Sequence, residues 1–190
     1  MTPGARPTYM VNNQQSGRSQ KPRPSVRPST LSFDSLEIVT HGESETRAVG
    51  KKAGEVAQPG DVLLLSGTLG TGKTRFAQGV LWGLGSDEYA RSPTFVLVTQ
   101  YRARLTMYHM DLYRIETVDE IYDLGLDEYL SGDGICVVEW ADKAPDLFPG
   151  WSLMVQMERA GADSRRLKLT DRSGRFLGAL GSVTSPLGHI

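Results

Sequence analysis

Cysteine is nearly missing from this chain: Cys136 stands alone among 190 residues. An internal disulfide is therefore excluded, as is a zinc site of clustered cysteines. Lying inside an apolar run, Cys136 reads as a small buried apolar residue. No apolar run reaches the length of a membrane span, and no signal-peptide core stands near the start. These absences predict a soluble, intracellular, cytoplasmic protein with no membrane partner. Acidic residues are missing from residues 1–33, which hold Arg6, Arg18, Lys21, Arg23 and Arg27. With five of the 21 basic residues placed there, the rest of the chain holds 16 against 22 acidic, a net of -6 behind an overall charge of -1. Aromatics are scarce in the same stretch, where Tyr9 is the only one before Phe33, and five prolines interrupt it. Such a segment cannot bury enough surface to offset its ordering entropy, so residues 1–33 are expected to be a disordered basic leader. Its plain reading is a solvated leader without a specific role, and its sharper one is weak electrostatic contact with RNA. The prolines argue against the amphipathic helix of an organelle transit peptide.

What is present is organised around Val62 to Thr74. Val62-Leu63-Leu64-Leu65 reads as a strand buried on both faces, and Gly67 to Thr74, GTLGTGKT, fits the spacing G-x-x-x-x-G-K-[ST]. Phe76, Val80, Leu81 and Leu84 then mark one face of a helix over Arg75–Leu84. Strand, glycine loop and helix stand in the order that a phosphate-binding loop requires. Backbone N–H groups from Leu69 through Gly70, Thr71, Gly72, Lys73 and Thr74 can point at an anion, helped by the helix dipole. Lys73 would reach the β- and γ-phosphates and the Thr74 hydroxyl would ligate Mg²⁺. The competing reading is a chance glycine-rich turn, which correct flanks make rare.

The remaining elements follow in order. Leu36 to Val39 reads as a strand, His41-Gly42-Glu43 as a turn, and Ser44 as the cap of a helix to about Ala57 with Ala48, Val49, Ala53 and Val56 on its buried stripe. Gly83 and Gly85 are expected to end the helix after the loop. Phe95–Tyr101 and Leu105–Tyr113 read as strands, and their short connection makes them antiparallel. Thr117 and Glu120 form a capping box for a helix ending near Gly125, and Leu126 to Leu130 adds a further turn. Ile135 to Trp140 is a second apolar strand, 142–150 is irregular, and Trp151–Glu158 with Arg166–Thr170 closes a hairpin around Gly161-Ala162-Asp163. The expected fold is α/β, a three-layer P-loop NTPase fold with a mixed, largely parallel central sheet and antiparallel additions. Residues 34–175 form its one domain, and 176–190 a partly disordered C-terminal tail.

A phosphate loop needs an acid on a neighbouring strand to complete the shell of Mg²⁺, directly or through water. Glu139 follows four apolar residues, the Walker B pattern with Glu in place of Asp, and Asp111 follows the less apolar Met107 to Met110. One would ligate metal and the other orient the attacking water or hold a metal-bound water, and pattern ranks Glu139 first. For each, an acid that caps a helix or pairs with an arginine such as Arg114 is the plain alternative. Thr94 in Ser92-Pro93-Thr94 can sense a γ-phosphate, although the tripeptide is also an ordinary turn. His109 reads by default as a structural histidine and Trp140 as core or rim.

Taken together, GTLGTGKT at 67–74, Ser92-Pro93-Thr94-Phe95, His109-Met110-Asp111-Leu112-Tyr113-Arg114 and Glu139-Trp140 resemble the bacterial TsaE (YjeE) family, over roughly Leu36 to Thr170. That resemblance implies an Mg²⁺-dependent ATPase, slow alone, that acts with the TsaB and TsaD proteins to form threonylcarbamoyladenosine at position 37 of tRNAs reading ANN codons. Contact with tRNA would be indirect, through the complex. It implies Thr74 and Glu139 as metal ligands, and Leu69 to Thr74 as the phosphate cradle. Lys73, Asp111 and Glu139 would be the catalytic set, with Asp111 on the γ-phosphate side. It also gives Thr94 a switch role, Trp140 a functional one, and Glu43 and the Gly161–Ala162 turn a place at the base. The isolated chain is expected to be a monomer. Three rival functions stand beside this one. A small-molecule kinase lacks an arginine-rich lid here, and a regulatory GTPase lacks [NT]-K-x-D at Asp142-Lys143-Ala144-Pro145. A scaffold that binds ATP without hydrolysing it differs in nothing the sequence records.

Overall fold

The computed structural model describes residues 34–117, 120–121, 125–148 and 150–181. The expected leader, residues 182–190 of the tail, and part of the helix expected from Thr117 to Gly125 lie outside the described residues; Thr117 Oγ1 does donate to Glu120 Oε1 at 2.9 Å.

Seven strands form one sheet in the order β1-β7-β6-β2-β5-β4-β3. They are β1 (Asp34–His41), β2 (Val62–Ser66), β3 (Val98–Tyr101), β4 (Met107–Asp111), β5 (Ile135–Glu139), β6 (Leu153–Arg159) and β7 (Ser164–Asp171). At its centre β6, β2, β5 and β4 run parallel, while β3 pairs antiparallel with β4 and β7 antiparallel with both β6 and β1. The alternation of β2 explains the layers: Leu63 and Leu65 pack on one face with Phe76, Val80 and Leu81, and Val62 and Leu64 on the other with Met110, Cys136 and Phe148. A strand buried on both faces needs cover on both, and α1 (Glu43–Val56), α2 (Lys73–Gly83), α3 (Leu126–Leu130) and α4 (Phe176–Leu180) contribute to it.

α1 and α2 touch backbone to backbone. A Cβ added at Gly50 would sit 2.2 Å from the Phe76 carbonyl oxygen, and one at Gly79 would sit 2.1 Å from that of Arg47. Gly54 and Gly83 repeat the arrangement one turn on, at 2.2 and 2.1 Å. Gly83 is thus a packing residue as well as the last residue of α2, which ends there as expected.

Other boundaries differ from expectation for physical reasons. Gly42, not Ser44, is the N-cap of α1, and the Glu45 carboxylate accepts the His41 N–H at 2.7 Å while Ser44 lies inside the helix. Ala48 faces outward, and Thr46 with the two glycines takes its place on the buried stripe. Phe95 to Leu97 is not strand, because the Val96 and Leu97 N–H groups both bond back to the Pro93 carbonyl, at 3.0 and 2.7 Å. Leu97 is left at φ 63, and Phe95 and Val96 stand 80% and 66% exposed. The packed chain also continues past residue 175. Asp171 accepts the Phe176 and Leu177 N–H groups, which seats α4 with Phe176 and Leu180 buried in the core.

Candidate functional site

The carboxyl ends of β2, β5 and β4 come to one level, since Leu65 is in register with Glu139 and Glu139 with Asp111. In an open α/β sheet the crevice beyond such ends is where ligands bind. Two local features turn the chain there. Gly67 leaves β2 at φ 132, where an added Cβ would lie 2.2 Å from the Met157 carbonyl oxygen of β6. Gly72, left-handed at φ 101, starts α2 with no side-chain cap, so the first helical N–H groups face outward for an acceptor.

A cavity of about 600 Å³ opens at this point, of nucleotide-compatible size, and is lined among others by Glu43, Leu69, Gly70, Gly72, Lys73, Thr74, Thr94, Asp111, Glu139 and Trp140. Among the expected cradle residues Thr71 alone is turned away: it is fully buried, and its hydroxyl donates to the Thr68 carbonyl at 2.9 Å. The hairpin's contribution to the lining is Arg165 rather than Gly161 or Ala162.

Lys73 Nζ donates to the Gly67 and Thr68 carbonyls at 2.6 and 3.1 Å and lies 3.7 Å from the centre of the Trp140 ring. Burial lowers its pKa below the ordinary 10.5, against the opposing pull of Glu139, Asp142 and Asp111. Trp140 reaches this position because it leaves β5 in a left-handed conformation at φ 60, which turns its ring over the loop. Thr74 Oγ1 donates to Glu139 Oε2 at 3.1 Å, and His109 Nε2 lies 2.8 Å from Glu139 Oε1. Asp111 Oδ2 accepts both the Ser92 hydroxyl and the Thr94 hydroxyl, the latter at 2.8 Å, while its Oδ1 accepts the Tyr113 N–H at 2.9 Å. At the far rim Glu43 Oε2 holds Arg47 at 2.6 Å and Arg75 at 3.0 Å.

Glu139 and Asp111 are thus both at the loop, and neither is taken up by a helix cap or by Arg114, which lies instead over the Phe95 ring. Ser92 and Tyr113 line the cavity from within the motifs around Thr94 and Asp111, and Arg75, Arg91 and Arg165 line it from outside any motif. Arg75, next to Thr74 in a helix, is the one whose spacing could have signalled it.

The donor set suits magnesium. Thr74 and Glu139 offer hard oxygens side by side, and no group of three or more His, Cys, Asp or Glu that could hold a metal occurs among the described residues. A cation here would draw most of its shell from phosphate oxygens and water, the habit of Mg²⁺ rather than of zinc or calcium.

A parallel-centred sheet with a glycine loop between β2 and α2, and acids on the two adjacent strand ends, defines a P-loop NTPase fold. Within that class the chain belongs to the TsaE family, whose profile, described as "Threonylcarbamoyl adenosine biosynthesis protein TsaE", matches residues 40–167. A Bacillus subtilis protein named "tRNA threonylcarbamoyladenosine biosynthesis protein TsaE" is 44% identical over 142 residues, 74% of this chain and 89% of that protein. A Treponema pallidum protein of the same name is 36% identical over 131 residues, 69% of this chain and 96% of its own. The crystal structure of Bacillus subtilis YdiB superposes with a TM-score of 0.66 at 36% identity, covering 80% of this chain and 95% of that one. Among the described residues no helix is long and apolar enough to cross a membrane.

Proposed function

We propose that this chain binds and hydrolyses ATP with Mg²⁺ as the nucleotide-driven component of the cytoplasmic machinery that forms threonylcarbamoyladenosine at position 37 of tRNAs reading ANN codons. It joins TsaD and TsaB as a monomer and meets tRNA only through them. The family membership supplies the pathway. The observation that carries the activity is the convergence of the Lys73–Thr74 loop with two acids, Glu139 bonded to Thr74 and Asp111 bonded to Thr94.

In this reading the backbone N–H groups of Leu69 to Thr74 receive the phosphates. Lys73 exchanges its bonds to the Gly67 and Thr68 carbonyls for phosphate oxygens. Thr74 and Glu139 would hold Mg²⁺, which when bound would supply neutralisation of phosphate charge. Asp111 orients the attacking water once Ser92 and Thr94 have released its Oδ2. That exchange links the reaction centre to the surface, because the same turn carries the exposed Phe95 and Val96 that would meet the partner proteins. Trp140 and Glu43 border the nucleotide at its sides.

A second reading has its own observation. Both oxygens of Asp111 are already occupied, by Ser92, Thr94 and the Tyr113 N–H, as suits a protein that binds ATP and switches without turnover. Phosphate release by the purified full chain with Mg²⁺, alone and then with TsaB, TsaD and tRNA, separates the two, with Lys73→Ala as the blank. Release that rises with the partners and vanishes in the variant supports the ATPase. ATP binding with no release in any mixture supports the switch, and no ATP binding at all overturns both.

A further inference from the structure

We propose that His109 is a positioning residue that aims the Glu139 carboxylate at the metal. The inference rests on the Mg²⁺·ATP reading of the cleft, and it assigns a role to a side chain that by residue type alone would be filler. His109 is fully buried in the middle of β4, in register with Val137 of β5, so its ring lies diagonally below Glu139 on the neighbouring strand. Its Nε2 lies 2.8 Å from Glu139 Oε1. Its Nδ1 is buried and has no hydrogen-bond partner among the described residues. A carboxylate oxygen accepts and does not donate, so the bond requires the proton on Nε2.

The consequence is geometric. Glu139 is itself almost fully buried, 3% exposed, and a buried carboxylate must have both oxygens satisfied. His109 takes Oε1 from beneath, leaving Oε2 for Thr74 Oγ1 at 3.1 Å on the cavity side. One oxygen is thereby committed to the protein and the other presented to the loop hydroxyl with which it would share the cation. Without the imidazole N–H the carboxylate can rotate about its last bond to satisfy Oε1 elsewhere, and Oε2 leaves the position beside Thr74. Tyr101, whose ring centre is 6.4 Å from that of His109, and the fully buried Met107 and Val137 limit where the imidazole itself can go. Partners that orient a metal's ligands in this way are worth about 10-fold to 100-fold in metal affinity.

The test uses the full chain and Mn²⁺ as a paramagnetic stand-in for Mg²⁺, titrated in the presence of ADP and read by electron paramagnetic resonance. His109→Phe keeps a flat ring and removes the donor, whereas His109→Gln keeps an N–H at about the same reach. The expected result is a loss of Mn²⁺ affinity of about 10-fold or more in His109→Phe, recovery to within about threefold in His109→Gln, and ADP affinity without metal unchanged in both. Equal Mn²⁺ affinity in His109→Phe and the parent overturns the assignment, and so does a His109→Gln variant as weak as His109→Phe. Should either variant fail to fold, nitrogen-15 NMR of the parent decides: a proton on Nε2 supports the bond to Glu139, and a proton on Nδ1 alone overturns it. A parent chain that binds no ADP would refute the nucleotide reading itself, an outcome distinct from each of these.

Discussion

One wall of the cleft, from β2 through residues 67–72 to α2, is made of backbone; the facing wall, from Ser92 through Asp111 to Glu139, is made of side chains bonded to one another. The first wall is fixed by where glycine stands: Gly67 against the Met157 carbonyl, Gly72 at the helix start, and Gly79 and Gly83 against α1. A side chain added at Gly67, Gly79 or Gly83 would meet backbone. The second wall holds Asp111 to Ser92 and Thr94, and Glu139 to Thr74, through hydroxyl groups that can exchange partners at small net cost, while the buried His109 keeps the other Glu139 oxygen in place. Under the proposed function the first wall binds phosphate and the second responds to it, a task that this division suits.

Substitutions on each wall should fail differently. Lys73→Ala, on the loop, is expected to lower ATP turnover by about a thousandfold, measured as phosphate release in the presence of the partner proteins. Glu139→Ala, on the other wall, should lower Mg²⁺-dependent turnover by about a hundredfold while ATP binding persists by calorimetry. Equal loss of binding in the two would erase the distinction between the walls. Gly79→Ala places a methyl against the Arg47 carbonyl with no flexible neighbour to yield, so stability should fall by about 1–3 kcal/mol in denaturant melts. Thr94→Ala removes one bond to Asp111 and should change partner-stimulated turnover by about tenfold or less, with basal ATP binding intact. The smallest effect belongs to Cys136, whose thiol burial pushes up to about 12 from an ordinary 9.0. Its folded pKa is raised, so its contribution is whole below about pH 9 and shrinks as pH rises towards 12 while the unfolded thiol ionises. A native chain should also resist thiol reagents at pH 8, and rapid labelling there would contradict the burial.

The backbone wall was legible in the sequence because its signals are local. Gly67, Gly72, Lys73 and Thr74 stand within eight residues, and the apolar runs of β2 and β5 announce strands covered on both faces, with Glu139 at the end of the second. The other wall depends on pairs far apart in the chain, Ser92 with Asp111 over 19 residues and His109 with Glu139 over 30, which no spacing encodes. Resemblance to a family supplied Thr94 and Trp140 but not the bonds they make. Periodicity failed where backbone chemistry overrode composition. Phe95 and Val96 are apolar β-formers, yet the turn closed on the Pro93 carbonyl leaves them exposed. Gly50, Gly54 and Gly79 carry no signal in the sequence, because their purpose, letting two helices touch, lies in the partner helix. The hairpin of β6 and β7 was expected, but its insertion of β6 beside β2 and the pairing of β1 with β7 were not, since strand order is a long-range property.

The most direct test of the two-wall account is a crystal structure of the full chain with a non-hydrolysable ATP analogue and Mg²⁺. The account predicts phosphates along the backbone of residues 69–74, the ion between Thr74 and Glu139, and Thr94 parted from Asp111. Phosphates bound away from that loop, or an ion seated without Thr74 and Glu139 while those two stay bonded to each other, would contradict it.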